Sequence, residues 1–344
     1  MPGRVVTVPA GRGARPTIRD VAQLAGVSPM TVSRVINGGD SVQPETAARV
    51  QYAIDQLSYQ RNDAARNLRR RGQLTHTIGL LVDDIANPFF SVLARAVEDA
   101  ARLRNYLVLI GSSQNDLHRE REVISAFCSR QADGLIVVPT EDSHRFLAKQ
   151  IDRGTKVVFV DRPAPGLPVD TVLVDNRPAA QQAVRHLLEL GHRRIGYLGD
   201  KQDIWPIRER YAGYLAALAD FGVAPDPALV RHGLRNRVVA AAAAAELGSL
   251  PEPPTALFSS NDLTTMGVID SGLHASFALV GFDDFALADK LTPPITLVAQ
   301  NPDVIGVTAA ERLFARINGD LSAPRELILR TSLIARGSGE IGPY

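Results

Sequence analysis

The chain has 344 residues, 45% apolar and 22% charged, with 38 Lys plus Arg against 37 Asp plus Glu and a formal charge of +1. That balance belongs to a folded globular chain of two or three domains and excludes disordered, collagen-like and fibrous classes. The single cysteine, Cys128, excludes an intramolecular disulfide and a multi-cysteine zinc site. No apolar run approaches the roughly 18 residues of a membrane span, and Val5-Val6-Thr7-Val8 between arginines is too short for a signal peptide, so a cytoplasmic protein is expected.

The near-neutral total hides a division. Residues 1–75 hold 11 Arg and no Lys against five acids, a charge of +6, and the remaining residues carry −5. A basic head is the electrostatic footprint of a nucleic-acid module, with a solvated surface as the alternative. In chain order, residues 1–16 are rich in Gly, Pro and Arg without periodicity and read as a disordered arm. Thr17 then N-caps a helix with Asp20 at the third position; Ile18, Val21, Ala22 and Leu24 share a face, and Gly26 ends it. Ser28-Pro29 opens a second helix through Val32, Val35 and Ile36 to Asn37-Gly38-Gly39. A third runs from about Pro44 to Leu57, apolar at Val50, Ala53, Ile54 and Leu57.

Beyond Thr77, short apolar runs read as buried strands: Ile78–Val82, Leu107–Ile110, Leu135–Val138, Val157–Val160, Ile195–Leu198, Ala256–Ser259 and Ala278–Val280. Between them lie helical patterns at Phe90–Arg104, Asp116–Arg130, Pro178–Leu190, Arg208–Phe221 and Asp303–Ile317, and Ala240–Ala245 is helix-forming alanine. This βαβα rhythm predicts parallel sheets covered by helices, and its length predicts two lobes with a cleft between them.

The head segment Thr17-Ile18-Arg19-Asp20-Val21-Ala22-Gln23-Leu24-Ala25-Gly26-Val27-Ser28, followed by Thr31-Val32-Ser33-Arg34-Val35-Ile36-Asn37, resembles the helix-turn-helix of the LacI/GalR family of bacterial transcriptional repressors. The body carries the resemblance independently in Asn87-Pro88-Phe89-Phe90, Asp133-Gly134-Leu135-Ile136, Val174-Asp175-Asn176, Leu190-Gly191-His192-Arg193-Arg194-Ile195, Ser260-Asn261-Asp262 and Val280-Gly281-Phe282-Asp283-Asp284. The resemblance implies an all-α helix-turn-helix head on an α/β, two-lobed, periplasmic-binding-protein-like (Rossmann-like) effector domain. Its divisions are a basic arm over 1–16, a DNA-binding domain over 17–62, a hinge helix over 63–75 and an effector domain over 76–340. The N-lobe spans about 76–174 and 302–330, the C-lobe about 175–301 and 331–340. A sequence-specific repressor of a near-palindromic operator is implied, bound as a homodimer and controlled by a small molecule in the cleft.

On that reading the second helix enters the major groove, where all four base pairs are distinguishable. Arg34 can donate twice to guanine, with a phosphate contact as the alternative; Met30 offers an apolar contact, and Pro29 sets the helix start after Ser28. Thr31, Ser33, Asn37 and Tyr59 are candidate phosphate or sugar partners, with solvated-surface or core-packing alternatives, and the resemblance adds Thr17 and Ser28 as DNA-binding positions. Asn62, Ala65 and Leu68 match the family's hinge helix, Leu68 at the position of the minor-groove wedge. Arg61 stands where a proline is common in the family.

For the cleft, the resemblance implies Phe89, Phe90, Asp161, Arg210, Asn261, Asp262, Asp283 and Gln300 as effector contacts. Carboxylates, Asn and Arg can fork hydrogen bonds to vicinal hydroxyls while an aromatic face covers C–H groups, chemistry suited to a sugar; stacking on the same rings would suit a nucleoside. Phe90 has a helix-core position as its alternative, Arg210 is placed at a helix start, and Trp205 reads as a ligand platform or a surface cap in a rim loop. Leu234 stands where some relatives have an aromatic wall, and the segment from Met266 to Gly281 is shorter than in typical members by roughly one to two helical turns. A solute-binding transport protein would need an export signal and no helix-turn-helix. An enzyme is disfavoured because no strand is followed by a phosphate-cradling glycine motif and the histidines have no metal spacing, so no cofactor and no membrane partner are expected. No heptad pattern follows Gly337-Ser338-Gly339, which favours a dimer over a coiled-coil tetramer.

Overall fold

The computed structural model describes residues 16–36, 42–59, 74–140, 144–163 and 165–343. Asn37, Asn62, Ala65 and Leu68, with the arm before Pro16 and the proposed hinge through Gln73, lie outside the described residues. The chain divides into two compact units, Met1–Gln73 and Leu74–Tyr344.

Local capping sets up the first unit. Helix α1 (Ile18–Ala25) starts where the Thr17 backbone N–H and hydroxyl both donate to the Asp20 carboxylate at 2.7 Å. It stops at Gly26, whose φ of 65° is left-handed backbone that glycine adopts without strain. Helix α2 (Pro29–Ile36) is capped by Ser28, whose Oγ accepts from the Thr31 N–H at 3.1 Å, and α3 (Pro44–Gln56) follows. Val21, Ala22, Ala25, Val32, Val50 and Ala53 form the head core. Leu24 corrects the expected face. It is 44% exposed, because the buried stripe of α1 runs through 18, 21, 22 and 25 at helical spacing and Leu24 lies beside it.

The second unit contains two six-stranded sheets. The first takes β1 (Thr77–Val82), β2 (Leu107–Ser112), β3 (Gly134–Val137), β4 (Lys156–Val160), β5 (Asp170–Val174) and, from far along the chain, β11 (Glu326–Leu329). The order is β11-β5-β4-β3-β1-β2, all parallel. Helices α4 (Pro88–Arg102), α5 (Leu117–Ser129), α6 (Arg145–Asp152) and α11 (Pro302–Ile317) cover it. The second sheet takes β6 (Ile195–Leu198), β7 (Val230–Arg231), β8 (Ala256–Ser259), β9 (Ala278–Phe282), β10 (Thr296–Ala299) and β12 (Ser332–Ile334), in the order β12-β10-β9-β8-β6-β7. Only β12 is antiparallel to its neighbour. Helices α7 (Asn176–Glu189), α8 (Trp205–Asp220), α9 (Arg237–Gly248) and α10 (Asp262–Asp270) belong to this lobe. After α10 a single 3₁₀ turn, Leu273–Ala275, leads into β9, so the helix-to-strand order survives the short Met266–Gly281 segment.

Most central strands are buried on both faces, as parallel sheets under helices require. The run Leu107–Ile110 is the exception to the buried-strand expectation. It ends its sheet, so Leu107 is 73% and Ile110 46% exposed. Three connections join the lobes, after β5, after β10 and between β11 and β12. Asp175 ties two of them: its Oδ1 accepts from the Thr331 N–H and hydroxyl, both at 2.9 Å. His192 is buried between Thr255 Oγ1 and the Ile341 carbonyl, both at 2.8 Å, a structural setting. Cys128 packs at the edge of the hydrophobic cluster under α5, where burial pushes its thiol pKa up.

Candidate functional site

In a parallel sheet every strand delivers its carboxyl end to the same rim, and loops leaving that rim converge. Here residues following the carboxyl ends of strands from both sheets line one cavity of about 360 Å³. All eight residues singled out for the cleft are among its lining: Phe89, Phe90, Asp161, Arg210, Asn261, Asp262, Asp283 and Gln300. Sequence reasoning missed Asp83, Asp84, Asn87, Gln114, Arg162, Asp200 and Arg235, together with Ile204, Pro206, Ile207 and Leu263. For Asp83, Asp84, Gln114, Arg162 and Asp200 the available signal was their position within two residues of a strand end.

The two lobes present matched carboxylates. Asp161 follows β4 and Asp283 follows β9; both have left-handed backbone, φ 68° and 71°, and both donate a backbone N–H, to Val172 and Val298 respectively, at 2.9 Å. Non-glycine residues in this region carry backbone strain that only a well-determined surrounding sustains, and such residues concentrate at functional sites.

Arg210 organises the C-lobe wall. It lies in the second turn of α8, not at the helix start as expected, because α8 begins at Trp205. Buried and 3% exposed, it donates from Nε to Asn176 Oδ1 at 2.8 Å, and from Nη1 to the Ser260 carbonyl at 2.7 Å and the Asp283 carboxylate at 3.2 Å. Its guanidinium carbon sits 3.6 Å from the centre of the Phe282 ring. Gln300 Nε2 donates to the other Asp283 oxygen. A buried arginine with this many acceptors is fixed in direction, and it holds Asp283 in place.

The N-lobe wall has a parallel arrangement around Arg162. It donates to Asn115 Oδ1 at 2.7 Å, the Pro139 carbonyl at 2.8 Å and Asp83 at 3.2 Å, and lies 3.6 Å from Asp161. Burial pushes the Asp161 carboxyl pKa up, with the arginines opposing it. Asp262 is pushed up to about 6, by burial first and then by the nearby Asp283 charge. One bond crosses the cleft directly: Asn87 Nδ2, at the start of α4, donates to Asp262 Oδ1 at 3.2 Å. Phe89 and Phe90 meet edge to face at 5.1 Å and bury most of their surface in the N-lobe core. Leu234 belongs to the C-lobe core and lines no part of the cavity. Trp205 is the first residue of α8, not part of a rim loop, and likewise lies outside the lining.

The head shows a different chemistry. On α2, Val32 is buried while Pro29, Met30 and Arg34 face solvent, Met30 at 66% exposure. Thr17 and Ser28 are exposed at helix starts, and the Thr31 hydroxyl lies 3.0 Å from that of Ser28. Ser33 is half-buried, and Tyr59 packs its ring partly against the head core. Met30 in the first turn of α2 and Arg34 four residues on, in its last turn, are both exposed and offer apolar and bidentate contacts on one surface.

Two families of known proteins match the chain: "Bacterial regulatory proteins, lacI family" over residues 17–62, and "Periplasmic binding protein-like domain" over residues 184–339. The HTH-type transcriptional repressor CytR of Escherichia coli (strain K12) is 32% identical over 328 residues, covering 94% of this chain and 96% of the relative. The solved structure of the transcriptional regulator CelR–cellobiose complex is similar at a TM-score of 0.69 and 32% identity, covering 94% of this chain and all of that one. The Lac repressor dimer bound to operator and the anti-inducer ONPF shares the fold at a TM-score of 0.81 and 24% identity, covering 95% of this chain and 99% of that one.

Proposed function

The chain belongs to the LacI family of bacterial regulatory proteins, DNA-binding transcription regulators and not enzymes, and on that premise we propose that it is a cytoplasmic homodimeric repressor of a near-palindromic operator, released or engaged by a sugar bound in the cleft. The division into a reading head over 17–62, a hinge over 63–75 and an effector domain over 76–340 is part of this reading. The observation that carries it is the cleft: eight residues from six separate chain segments meet around one polar cavity between two lobes.

Directed acceptors and donors around Asp161, Arg210, Asn261, Asp262, Asp283 and Gln300 suit a polyhydroxylated ring. A nucleobase needs a broad aromatic face, and the two phenylalanines spend theirs mostly on the core, 9% and 8% exposed; this favours a sugar over a nucleoside. Its volume sits at the small end of the ~300–1,000 Å³ usual for small-molecule sites. On the head, Arg34 and Met30 read base edges from α2, with Thr17, Ser28, Pro29, Thr31, Ser33, Asn37 and Tyr59 setting its register against phosphates. Asn62, Ala65 and Leu68 enter this reading through the family resemblance alone. A homodimer is supported by the apolar edge of the N-lobe, where Leu103, Leu107 and Ile110 face solvent along β2 and its approach.

A ligand bridging the lobes biases their relative placement, and the coupling to DNA is reciprocal. The test is a thermal-shift screen of sugars and nucleosides on the full chain, repeated with a duplex enriched from a random pool by the protein itself. A sugar that stabilises the protein and changes its affinity for that duplex is the expected result. Stabilisation by nucleosides alone would overturn the sugar assignment, and a ligand without effect on DNA affinity would overturn the coupling.

A further inference from the structure

Resting on the reading of the cleft as an effector pocket, we propose that it selects ligands without negative charge, accepting neutral polyols or amino sugars and rejecting phosphorylated or carboxylated ones. The cavity is lined by six aspartates against three arginines. Two of those arginines are already committed. Arg210 is used by Asn176, Ser260 and Asp283, and Arg162 by Asn115, Pro139 and Asp83. The third, Arg235, is exposed, on the C-lobe side of the lining.

Among the described residues the lining holds one buried donor without a hydrogen-bond partner, Arg162 Nε, and beside it acceptors with capacity to spare. Among the described residues the buried Asp161 carboxylate has one ion-pair partner within 4 Å, the Arg162 guanidinium at 3.6 Å, with the Arg210 charge acting from farther off. Among the described residues Asp200 accepts one hydrogen bond, from the neighbouring Lys201 N–H, and feels the Arg235 charge. Gln300 is 7% exposed, lines the cavity, and its Oε1 is buried without a partner. Hydroxyls and ammonium groups satisfy such acceptors by donating; phosphate and carboxylate oxygens cannot donate and add like charge. Burial already raises the pKa of Asp161, Asp200 and Asp262, so a further anion meets carboxylates that are short of compensation.

The experiment is isothermal titration of the full chain at pH 7.5 with matched pairs: ribose and ribose 5-phosphate, glucose and glucose 6-phosphate, cellobiose and cellobionate, adenosine and its 5′-monophosphate. At least one neutral member is expected to bind, with its anionic counterpart weaker by about tenfold or more. In Asp161→Asn, which keeps the shape and removes one charge, the gap between the pair is expected to narrow. An anionic member that binds as tightly as its neutral partner overturns the inference and leaves the effector pocket standing. The same holds if an anion binds more tightly and loses that advantage in Arg235→Gln, for then the exposed arginine sets selectivity. Absence of binding by every member overturns the reading of the cleft, and this inference falls with it.

Discussion

Asp262 shows at the scale of one residue how a binding cleft strains against stability. Its carboxyl, pushed up to about 6 by burial and by Asp283, holds its proton more tightly in the folded chain than in the unfolded one. Between roughly pH 4 and pH 6 the folded state therefore binds more protons, and stability from this group is present at low pH and lost as pH rises through 6. Asp262→Asn keeps the acceptor that meets Asn87 and the Leu263 N–H while removing the charge. We expect its Tm to exceed that of the parent by about 2 °C or more at pH 7.5, with the difference closing towards pH 4; an equal difference at both pH values would sink the assignment. The cleft residues were legible because Asp161, Asp283, Asn261 and Gln300 each stand within two residues of a strand's carboxyl end. Extending that rule to every strand would have added Asp83, Asp84, Gln114, Arg162 and Asp200. Arg235 lies four residues beyond the short β7 and reaches the cavity only through the tertiary fold, so nothing local announced it.

Among elements, the contact of α7 with α8 decides where Arg210 points. Asn176 begins α7 and receives the Arg210 Nε, so the two helices must approach closely. Gly213, one turn beyond Arg210, makes this possible: a Cβ there would stand 2.4 Å from the Arg177 carbonyl oxygen, a backbone atom that cannot swing aside. Gly213→Ala is therefore expected to cost about 1–3 kcal/mol of stability and to weaken ligand binding by displacing Arg210, measured by denaturant unfolding and calorimetry. Unchanged stability would show that the helices can separate freely. Elements with a strong internal pattern were readable: Ile195–Leu198 and Ala256–Ser259 coincide with β6 and β8. Strand β10, a short buried run, and the two-residue β7 went unread, as did three strands whose identity comes from their neighbours. Asp170–Val174 opens on a buried carboxylate held by Arg312 and Arg316, Glu326–Leu329 is a half-exposed edge, and β12 has three residues. Helix α10 buries Asp262, Thr264, Thr265, Gly267 and Val268, a mixture that carries no apolar period.

For the whole molecule, the proposed dimer can be separated from ligand binding. Leu107 is exposed on the edge strand β2, away from the cavity lining. Leu107→Asp is expected to shift the protein towards monomer in analytical ultracentrifugation and to reduce affinity for a two-half-site duplex by about tenfold or more, leaving sugar binding unchanged; a dimer that persists would place the interface elsewhere. The overall plan, a helical head before a two-lobed α/β body, was readable because capping signals and buried strands are local, whereas the return of the chain from one lobe to the other leaves no local mark. That return has a consequence for synthesis. Strands β11 and β12 complete opposite sheets, and both lie beyond residue 325. A nascent chain therefore carries a finished head long before either lobe can close its last edge. Ribosomes that stop early would release heads attached to bodies with two open sheet edges, chains that aggregate or are degraded before they can compete for an operator.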